Sequence, residues 1–145
     1  MPQPFPHIYT VDASGAVAGN LRLNSEGAPE LLGTAPREFD GPGDQWSPES
    51  LLVAAVASCF ILTFRAVARA SKLEWARLEC TVEGALERSE GLTQFTRIVT
   101  KAKLIAPQTT SEELCVRLLE KTEHNCLITN SLRAQRELRT QIVRE

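Results

Sequence analysis

The sequence lacks the features that define several large classes of protein. Its 16 Lys and Arg residues stand against 18 Asp and Glu residues, with the two signs interspersed and a net charge of -2. A chain without a basic patch is poorly suited to nucleic acid or to a membrane surface, so we expect neither as a partner. Met1–Pro6 lacks the charged start and apolar core of a signal peptide, which predicts a cytoplasmic location.

Histidines and closely paired cysteines are also scarce. The chain has 2 histidines and 4 cysteines, and the cysteines lie at positions 59, 80, 115 and 126. They form no Cys-x-x-Cys pair, which argues against a zinc ribbon and against a thioredoxin motif. A zinc site built from Cys59, Cys126 and His124 is therefore a remote hypothesis, and we expect neither a metal nor a cofactor.

The longest apolar run in the sequence predicts a central helix. Ser47 suits the capping position, Pro48 the first helical position, and Glu49 places negative charge at the positive end of the helix dipole. From Leu51 to Phe64 every side of the helix is apolar or small, which predicts a helix buried all round and continuing to about Ala70. The run is shorter than the ~18 apolar residues of a membrane span, so we interpret it as a core helix.

Strand and helix patterns alternate along the rest of the chain. Period-two alternation over Leu78–Leu86 and Phe95–Ile105 predicts a long antiparallel hairpin with Cys80 on its buried face. The other predicted elements are strands over His7–Ala13, Ala16–Leu23 and Glu30–Leu32, a loop over Gly33–Trp46, a helix capped by Ser111, a helical turn over Cys126–Leu132 and a strand over Leu138–Val143. This order predicts an α+β fold in a single domain over residues 1–145.

The four cysteines are the residues best able to carry chemistry in this chain. A thiol in mid-helix among apolar residues should have a raised pKa, so local physics by itself makes Cys59 an inert core residue. Cys126 lies beside His124 at a helix junction, where backbone amides and an imidazole could support a thiolate, and its structural and functional interpretations both stay open. Cys80 and Cys115 fall on regular apolar stripes and are predicted to belong to the core.

The simplest interpretation of Glu49 is structural: a first-turn residue that complements the helix dipole. Ten residues of helix separate it from Cys59, which corresponds to about 15 Å of rise at ~1.5 Å per residue. The two side chains therefore cannot meet within one straight helix. If both serve one site, a second subunit must bring them together.

Three segments of the sequence resemble a known family. The segment Ser47–Phe60 resembles the Asn/Ser-Pro-Glu-x-Leu…Ala-Cys-Phe signature of the OsmC/organic hydroperoxide resistance family. Cys126–Leu132 resembles that family's Cys-Pro-Val-Ser-Asn-x-Leu signature, with Leu127 in place of proline, and Ala35–Gly41 is similar to its Thr-Pro-Arg-Glu-Leu-Gly-Gly segment. The resemblance covers most of the chain.

The resemblance implies a fold and a reaction. It implies an intertwined homodimer with antiparallel sheets around a central buried helix, in which each site draws residues from both chains. Cys59 would be the peroxidatic thiolate that breaks the O–O bond of an organic hydroperoxide, releasing an alcohol and leaving a sulfenic acid. Cys126 would be the resolving thiol, forming a disulfide that a dithiol reductant, a thioredoxin-like or lipoyl protein, reopens. Glu49 would orient an arginine beside Cys59.

The sequence has no arginine at the position where the resemblance implies one. Ala16–Gly19 occupies the matching place, so Arg22 and Arg37 are the candidate substitutes. An apolar pocket would favour alkyl or fatty peroxides over hydrogen peroxide, and we expect it to be lined by Phe39, Trp46 and Phe60. The alternative function is a binding protein on the same scaffold that takes a small hydrophobic ligand with little or no peroxidase activity.

Overall fold

Strands and helices alternate along the chain as expected for an α+β protein. The computed structural model describes residues 2–145, which form one unit ending at Leu51 and another spanning Leu52–Glu145. Helix α1 (Pro48–Ala70) begins in the first unit and continues into the second. The expectation of a single domain stays a prediction, and each unit is described by itself.

The first unit contains a small antiparallel sheet. Its strands, in spatial order, are β1 (Asp12–Ser14), β2 (Leu21–Asn24) and β3 (Leu31–Gly33). The predicted turn at Ser14-Gly15 is wrong, because Ser14 pairs with Arg22 and residues 15–20 form the connection. These strands are almost entirely exposed, so no buried face fixed their lengths or their register in the sequence pattern.

The two ends of the segment predicted as a loop, Gly33–Trp46, are joined by backbone pairing. The backbone N–H of Thr34 donates to the carbonyl oxygen of Trp46 at 2.8 Å, and Gly33 forms an isolated bridge with Trp46. Within the loop, Arg37–Phe39 forms one turn of 3-10 helix. Gly41 follows so near to Ala35 that a Cβ atom at this position would lie 1.9 Å from the Ala35 carbonyl oxygen. Glycine is therefore required for the chain to turn back on itself here.

Helix α1 begins and ends through recognisable capping motifs. The N–H of Ser50 donates to Ser47 Oγ at 3.1 Å, and the N–H of Ser47 donates to Ser50 Oγ at 2.9 Å. This reciprocal pair satisfies amides that the first turn leaves free, and the predicted helix start is confirmed. At the other end Lys72 is in the left-handed region with a φ of 54°, and the N–H of Leu73 donates to the carbonyl oxygen of Ala68 at 2.9 Å. These contacts form a Schellman motif.

The sheet of the second unit is mixed. Its spatial order is β4 (Arg77–Ser89), β5 (Leu92–Ala106) and β6 (Gln135–Arg144). The predicted hairpin of β4 and β5 is antiparallel and confirmed, but β6 runs parallel to β5, so the expectation of purely antiparallel sheets is wrong for this sheet. The physical reason is the connection: helices α2 (Glu112–Asn125) and α3 (Leu127–Asn130) lie between β5 and β6, and such a crossover permits parallel pairing.

A β-bulge changes the alternation along β4. Leu78 is buried and Cys80 and Val82 are half-buried, as the period-two pattern predicts. The register shifts between Ala85 and Leu86, where Thr96 of β5 is the extra residue, and Leu86, just beyond the shift, is exposed rather than buried. An extra residue in one strand displaces the residues beyond it from their expected face.

The hydrophobic core of the second unit lies between α1, the hairpin and α2. The Oγ atom of Ser111 accepts a hydrogen bond from the N–H of Leu114, which confirms the predicted start of α2. The buried members of the core are Phe60, Phe64, Val67, Ala68, Leu78, Ala102, Leu104, Ala106, Cys115, Leu118 and Leu119. The Phe64 ring also packs edge-on against Trp75, with 5.1 Å between ring centroids.

Helix α1 is buried on one face only within the chain. Val56, Phe60 and Phe64 are fully buried, whereas Leu62 is 58% exposed. The prediction of burial on every side is therefore wrong for the single chain, because the core contacts only the stripe formed by positions three and four residues apart. By length and composition α1 also meets the criterion for a membrane span, contrary to the sequence count, although one of its faces forms this core.

Candidate functional site

The structure brings together the two cysteines that the sequence singled out. Cys59 lies in the middle of α1, and Cys126 lies at the junction where α2 ends and α3 begins. Both are free thiols, and each shifts the pKa of the other. Cys126 is fully buried, whereas Cys59 is partly exposed. Two thiols far apart in sequence therefore face each other, with one of them open to solvent.

Further hydrogen-bond donors surround the Cys59 sulfur. Thr63 lies one helical turn after it, with 3.7 Å between Thr63 Oγ1 and Cys59 Sγ. Leu127 and Ile128 line the same depression as Cys59, and their backbone amides act to lower the pKa of this thiol. These amides belong to the first turn of α3, where N–H groups have no partner within the helix and favour negative charge.

These donors reverse the expected ionisation of Cys59. Burial acts to raise the pKa of Cys59, but hydrogen bonds from the Ile128 amide, the Cys126 thiol, Thr63 and the Leu127 amide together bring the pKa below its usual value. The expectation of a raised pKa is wrong, because the helix amides that stabilise the thiolate come from a segment distant in sequence. Cys59 is thus a partly exposed thiol whose lowered pKa favours the thiolate, the reactive form of cysteine.

Cys126 has the opposite character. Burial raises the pKa of Cys126, a hydrogen bond from Thr129 Oγ1 at 3.3 Å opposes this effect, and the neighbouring Cys59 raises the pKa further. The idea that the helix junction supports a Cys126 thiolate is therefore wrong, since burial and the neighbouring Cys59 outweigh the side chain and backbone amide of Thr129. The pair therefore consists of one thiol with a lowered pKa and one with a raised pKa.

The two remaining cysteines have raised pKa values. Burial, followed by the charges of Cys126 and Glu123, raises the pKa of Cys80 to about 12. Burial also raises the pKa of Cys115, which is fully buried in the core. Cys80 is half-buried and packs against the same core, so the predicted core roles of both residues are confirmed.

An open depression gives access to Cys59. It has a volume of about 370 Å³, and its lining residues are Ala55, Ser58, Cys59, Leu62, Thr63, Leu127 and Ile128. Leu62 and Leu127 are both largely exposed and add apolar surface around the sulfur. A molecule with an apolar body and a reactive polar end matches this combination of an apolar wall and a thiol with a lowered pKa.

The residues predicted to line the substrate pocket do not line the Cys59 depression. Phe60 is fully buried in the core, because the next residue along a helix is rotated by about 100° and faces away from the Cys59 depression. Its assignment to the pocket is wrong. Phe39 and Trp46 are exposed in the first unit, where Trp46 borders another open depression of about 320 Å³ beside Ser50. A role for these two residues in substrate binding stays a prediction.

The charged residues predicted to support the thiolate lie in the first unit. Glu49 is half-buried, and its Oε1 atom is buried without a hydrogen-bond partner among residues 2–145. Arg22 pairs with Glu30 at 2.7 Å. The Arg37 side chain lies beside Gly43, since a Cβ atom there would be 2.6 Å from Arg37 Nε. The roles of Glu49, Arg22 and Arg37 at the site stay predictions.

The proposed zinc site gains no support from the geometry. His124 is exposed in the last turn of α2. Across residues 2–145 there is no group of three or more His, Cys, Asp or Glu side chains placed to hold a metal ion. The thiol pair is therefore the chemical feature on which a functional interpretation can rest.

Several members of the site were missed in the sequence. Thr63 follows Cys59 by four residues and Thr129 follows Cys126 by three, and these are the spacings at which helical side chains meet, so a search for polar residues one turn away finds both. The contribution of the Leu127 and Ile128 amides has no such signal, because any residue except proline has a backbone N–H.

Replacing Leu127 with proline tests the contribution of one amide. Leu127 is the first residue of α3, where proline is tolerated, and Cys126 has φ -68° and ψ 104°, which suits a residue that precedes proline. Leu127→Pro should shift the pH midpoint of Cys59 alkylation by iodoacetamide upward by about one pH unit, because it removes one hydrogen bond to a charged sulfur. Leu127→Ala, which keeps the amide, should titrate like the wild type. Equal midpoints for Leu127→Pro and Leu127→Ala would contradict this assignment.

The fold and the matched region define the class of protein. An OsmC-like protein of unknown function from Vibrio cholerae has a structure with a TM-score of 0.82 to this one, at 18% sequence identity, covering 95% of this chain and 100% of that chain. Residues 41–141 match the family model described as OsmC-like protein. The chain belongs to the OsmC-like protein family, and the resemblance seen in the sequence is confirmed.

Two further proteins are similar to this chain in sequence. It is 30% identical over 138 residues to an organic hydroperoxide resistance protein of Xanthomonas axonopodis pv. citri, which covers 92% of this chain and 93% of the relative. It is 29% identical over 106 residues to the uncharacterized protein YmaD of Bacillus subtilis, covering 71% of each chain. The family thus includes proteins named for resistance to organic hydroperoxides.

Proposed function

We propose that this protein is a thiol-dependent peroxidase that reduces organic hydroperoxides to alcohols. The observation that carries the proposal is the asymmetric pair of thiols: the pKa of Cys59 is lowered while the pKa of the adjoining Cys126 is raised. Cys59 is then the peroxidatic residue and Cys126 the resolving residue. The name of the Xanthomonas relative agrees with this class of substrate.

The first step oxidises Cys59. Its thiolate attacks the terminal oxygen of the hydroperoxide, an S–O bond forms, and the O–O bond breaks with its electron pair going to the alkoxide. The alkoxide takes a proton from water and leaves as an alcohol, while Cys59 becomes a sulfenic acid. A lowered pKa favours this step because the thiolate is the nucleophilic form of cysteine.

The second step uses the thiol of Cys126. Its sulfur attacks the Cys59 sulfur, an S–S bond forms, and the S–OH bond breaks, so that the hydroxide and the Cys126 proton leave together as water. A dithiol protein of the thioredoxin or lipoyl type then reduces the disulfide by exchange and is itself oxidised. The reaction as proposed needs no metal and no cofactor.

Several further parts of the proposal follow from the same chemistry. The first part concerns the substrate: the apolar walls of the Cys59 depression favour alkyl or fatty hydroperoxides over hydrogen peroxide. Among residues 2–145 one carboxylate oxygen of Glu49 has no hydrogen-bond partner, and we propose that an arginine, Arg37 or Arg22, approaches it in an intertwined homodimer. A reducing cytoplasm is the compartment that suits a dithiol reductant.

A binding protein for small hydrophobic ligands is the second candidate. It is favoured by the open apolar depression, together with the absence of an arginine from the hydrogen bonds that residues 2–145 make to Cys59. In that case a ligand would rest against Leu62 and Leu127 without being turned over. The same site therefore has two functional interpretations that differ in chemistry.

Consumption of cumene hydroperoxide in the presence of a dithiol separates the two candidates. The wild type should consume the hydroperoxide, and Cys59→Ser should fall to the background rate because its hydroxyl has no thiolate form. Cys80→Ser is the matched control, since it also removes one thiol near the site, and it should retain turnover. Wild-type and Cys59→Ser rates that are equal and near background would reject the peroxidase in favour of the binding protein.

A further inference from the structure

Arg136, in β6, reaches the segment that carries Cys126. Its Nε atom donates to Glu123 Oε1 at 2.8 Å, and its Nη1 atom donates to Asn130 Oδ1 at 2.6 Å. Its Nη2 atom donates to the carbonyl oxygen of Glu123. One guanidinium thus binds the last turn of α2 and the last residue of α3, on the two sides of Cys126.

The segment between these two contacts depends on outside support. Helix α3 is 4 residues long, which is too short to be stable by its own hydrogen bonds, and its capping residue makes no side-chain cap. Yet this turn must present one thiol and two amides to a single sulfur atom. A guanidinium that donates to three acceptors in a fixed planar arrangement is well suited to hold it.

Charge compensation adds to this contact. The Glu123 side chain is 14% exposed and that of Arg136 is 31% exposed, so this ion pair is better shielded from water than a surface pair. The second carboxylate oxygen of Glu123, Oε2, is buried without a hydrogen-bond partner among residues 2–145. Without Arg136, a largely buried carboxylate would lie uncompensated next to the thiols.

We propose that Arg136 is a positioning residue for the thiol pair. By binding both ends of the turn from Glu123 to Asn130, it holds the thiol and the backbone amides of that turn against the Cys59 sulfur. The inference rests on the proposed function of the pair, but it concerns the geometry that activates Cys59 rather than the identity of the oxidant. It can therefore be tested without any peroxide.

The main test compares Arg136→Gln with Arg139→Gln. Arg139 lies on the same strand and pairs with Glu137, so its loss removes an ion pair of β6 without touching the turn. In Arg136→Gln the midpoint of the ultraviolet thiolate titration of Cys59 should rise by about one pH unit. Disulfide formation between the two thiols, driven by diamide, should slow by about tenfold. Arg139→Gln should show neither change.

Subtracting the titration of each variant's Cys59→Ser partner isolates the Cys59 signal. Arg136→Lys keeps the positive charge but loses the planar arrangement of donors, so its midpoint should lie between those of the wild type and Arg136→Gln. A wild-type midpoint and a wild-type rate of disulfide formation in Arg136→Gln would overturn the proposal, even if the melting temperature fell. That result would leave Arg136 a purely structural role.

A second variant tests the positioning role if Arg136→Gln does not fold. Asn130→Ala removes one contact of the guanidinium and leaves the Glu123 pair in place, and a smaller upward shift of the Cys59 midpoint is expected. An unchanged midpoint in that variant would overturn the proposal. An upward shift of the Cys59 midpoint in Arg136→Gln, together with a wild type that fails to consume cumene hydroperoxide, would support the positioning role while rejecting the peroxidase function.

Discussion

Cys126→Ser is expected to accept oxygen from a hydroperoxide and then to stop. The serine hydroxyl can still donate a hydrogen bond to Cys59, so the thiolate should persist and be oxidised, but no second sulfur is present to expel water. After one equivalent of cumene hydroperoxide, the intact mass should increase by one oxygen atom. The wild type should instead lose two hydrogen atoms as its disulfide forms. Excess peroxide should convert the variant irreversibly to the sulfinic or sulfonic acid.

Cys80→Ser provides the control for this experiment. Its raised pKa and its place against the core exclude Cys80 from the proposed steps, so the variant should lose two hydrogen atoms like the wild type. A loss of two hydrogen atoms from Cys126→Ser would contradict the assignment, because another thiol would then be resolving the sulfenic acid. An unchanged mass after peroxide would contradict the role of Cys59 itself.

The second large effect is expected on stability. Phe60→Ala should lower the free energy of unfolding by about 3–5 kcal/mol, because it removes a fully buried aromatic side chain and leaves a cavity beside α1. Urea unfolding followed by circular dichroism measures the change from the shift of the midpoint at constant slope. The effect would place Phe60 in the structural core rather than in a substrate pocket.

Phe39→Ala is the matched control, since the same side chain is removed from a position that is 56% exposed. Its effect on the free energy of unfolding should stay within about 0.5 kcal/mol. Equal losses for the two variants would contradict the assigned burial of Phe60 relative to Phe39. A Phe60→Ala protein with wild-type stability would contradict the packing of α1 against the hairpin.

Features that depend on neighbouring residues were predictable from the sequence. Ser47 and Ser111 mark the starts of their helices because a capping side chain bonds to amides two or three residues away. The hairpin of β4 and β5 was predictable because a half-buried strand alternates with period two. The family signature around Cys59 likewise lies within one helix. In each case the physical cause and its consequence occupy one short stretch of chain.

Features that depend on distant residues were not predictable in this way. The direction of β6 follows from the crossover that precedes it, and the exposure of Leu86 follows from a bulge that leaves the apolar pattern intact. The ionisation of Cys59 was predicted with the wrong sign from its own helix, since its strongest amide donor is Ile128. Local physics described the desolvation of this thiol correctly and missed the donors that outweigh it.

The distance in sequence between Cys59 and Cys126 also determines when the site can exist. The first turn of α3 reaches Cys59 only once α1 and α3 have packed together, and this contact closes over a long stretch of sequence. Until then Cys59 has none of the amide donors of α3 and has the low reactivity of a thiol in an apolar helix. The lowered pKa of Cys59 is therefore a property of the assembled site and not of its own helix.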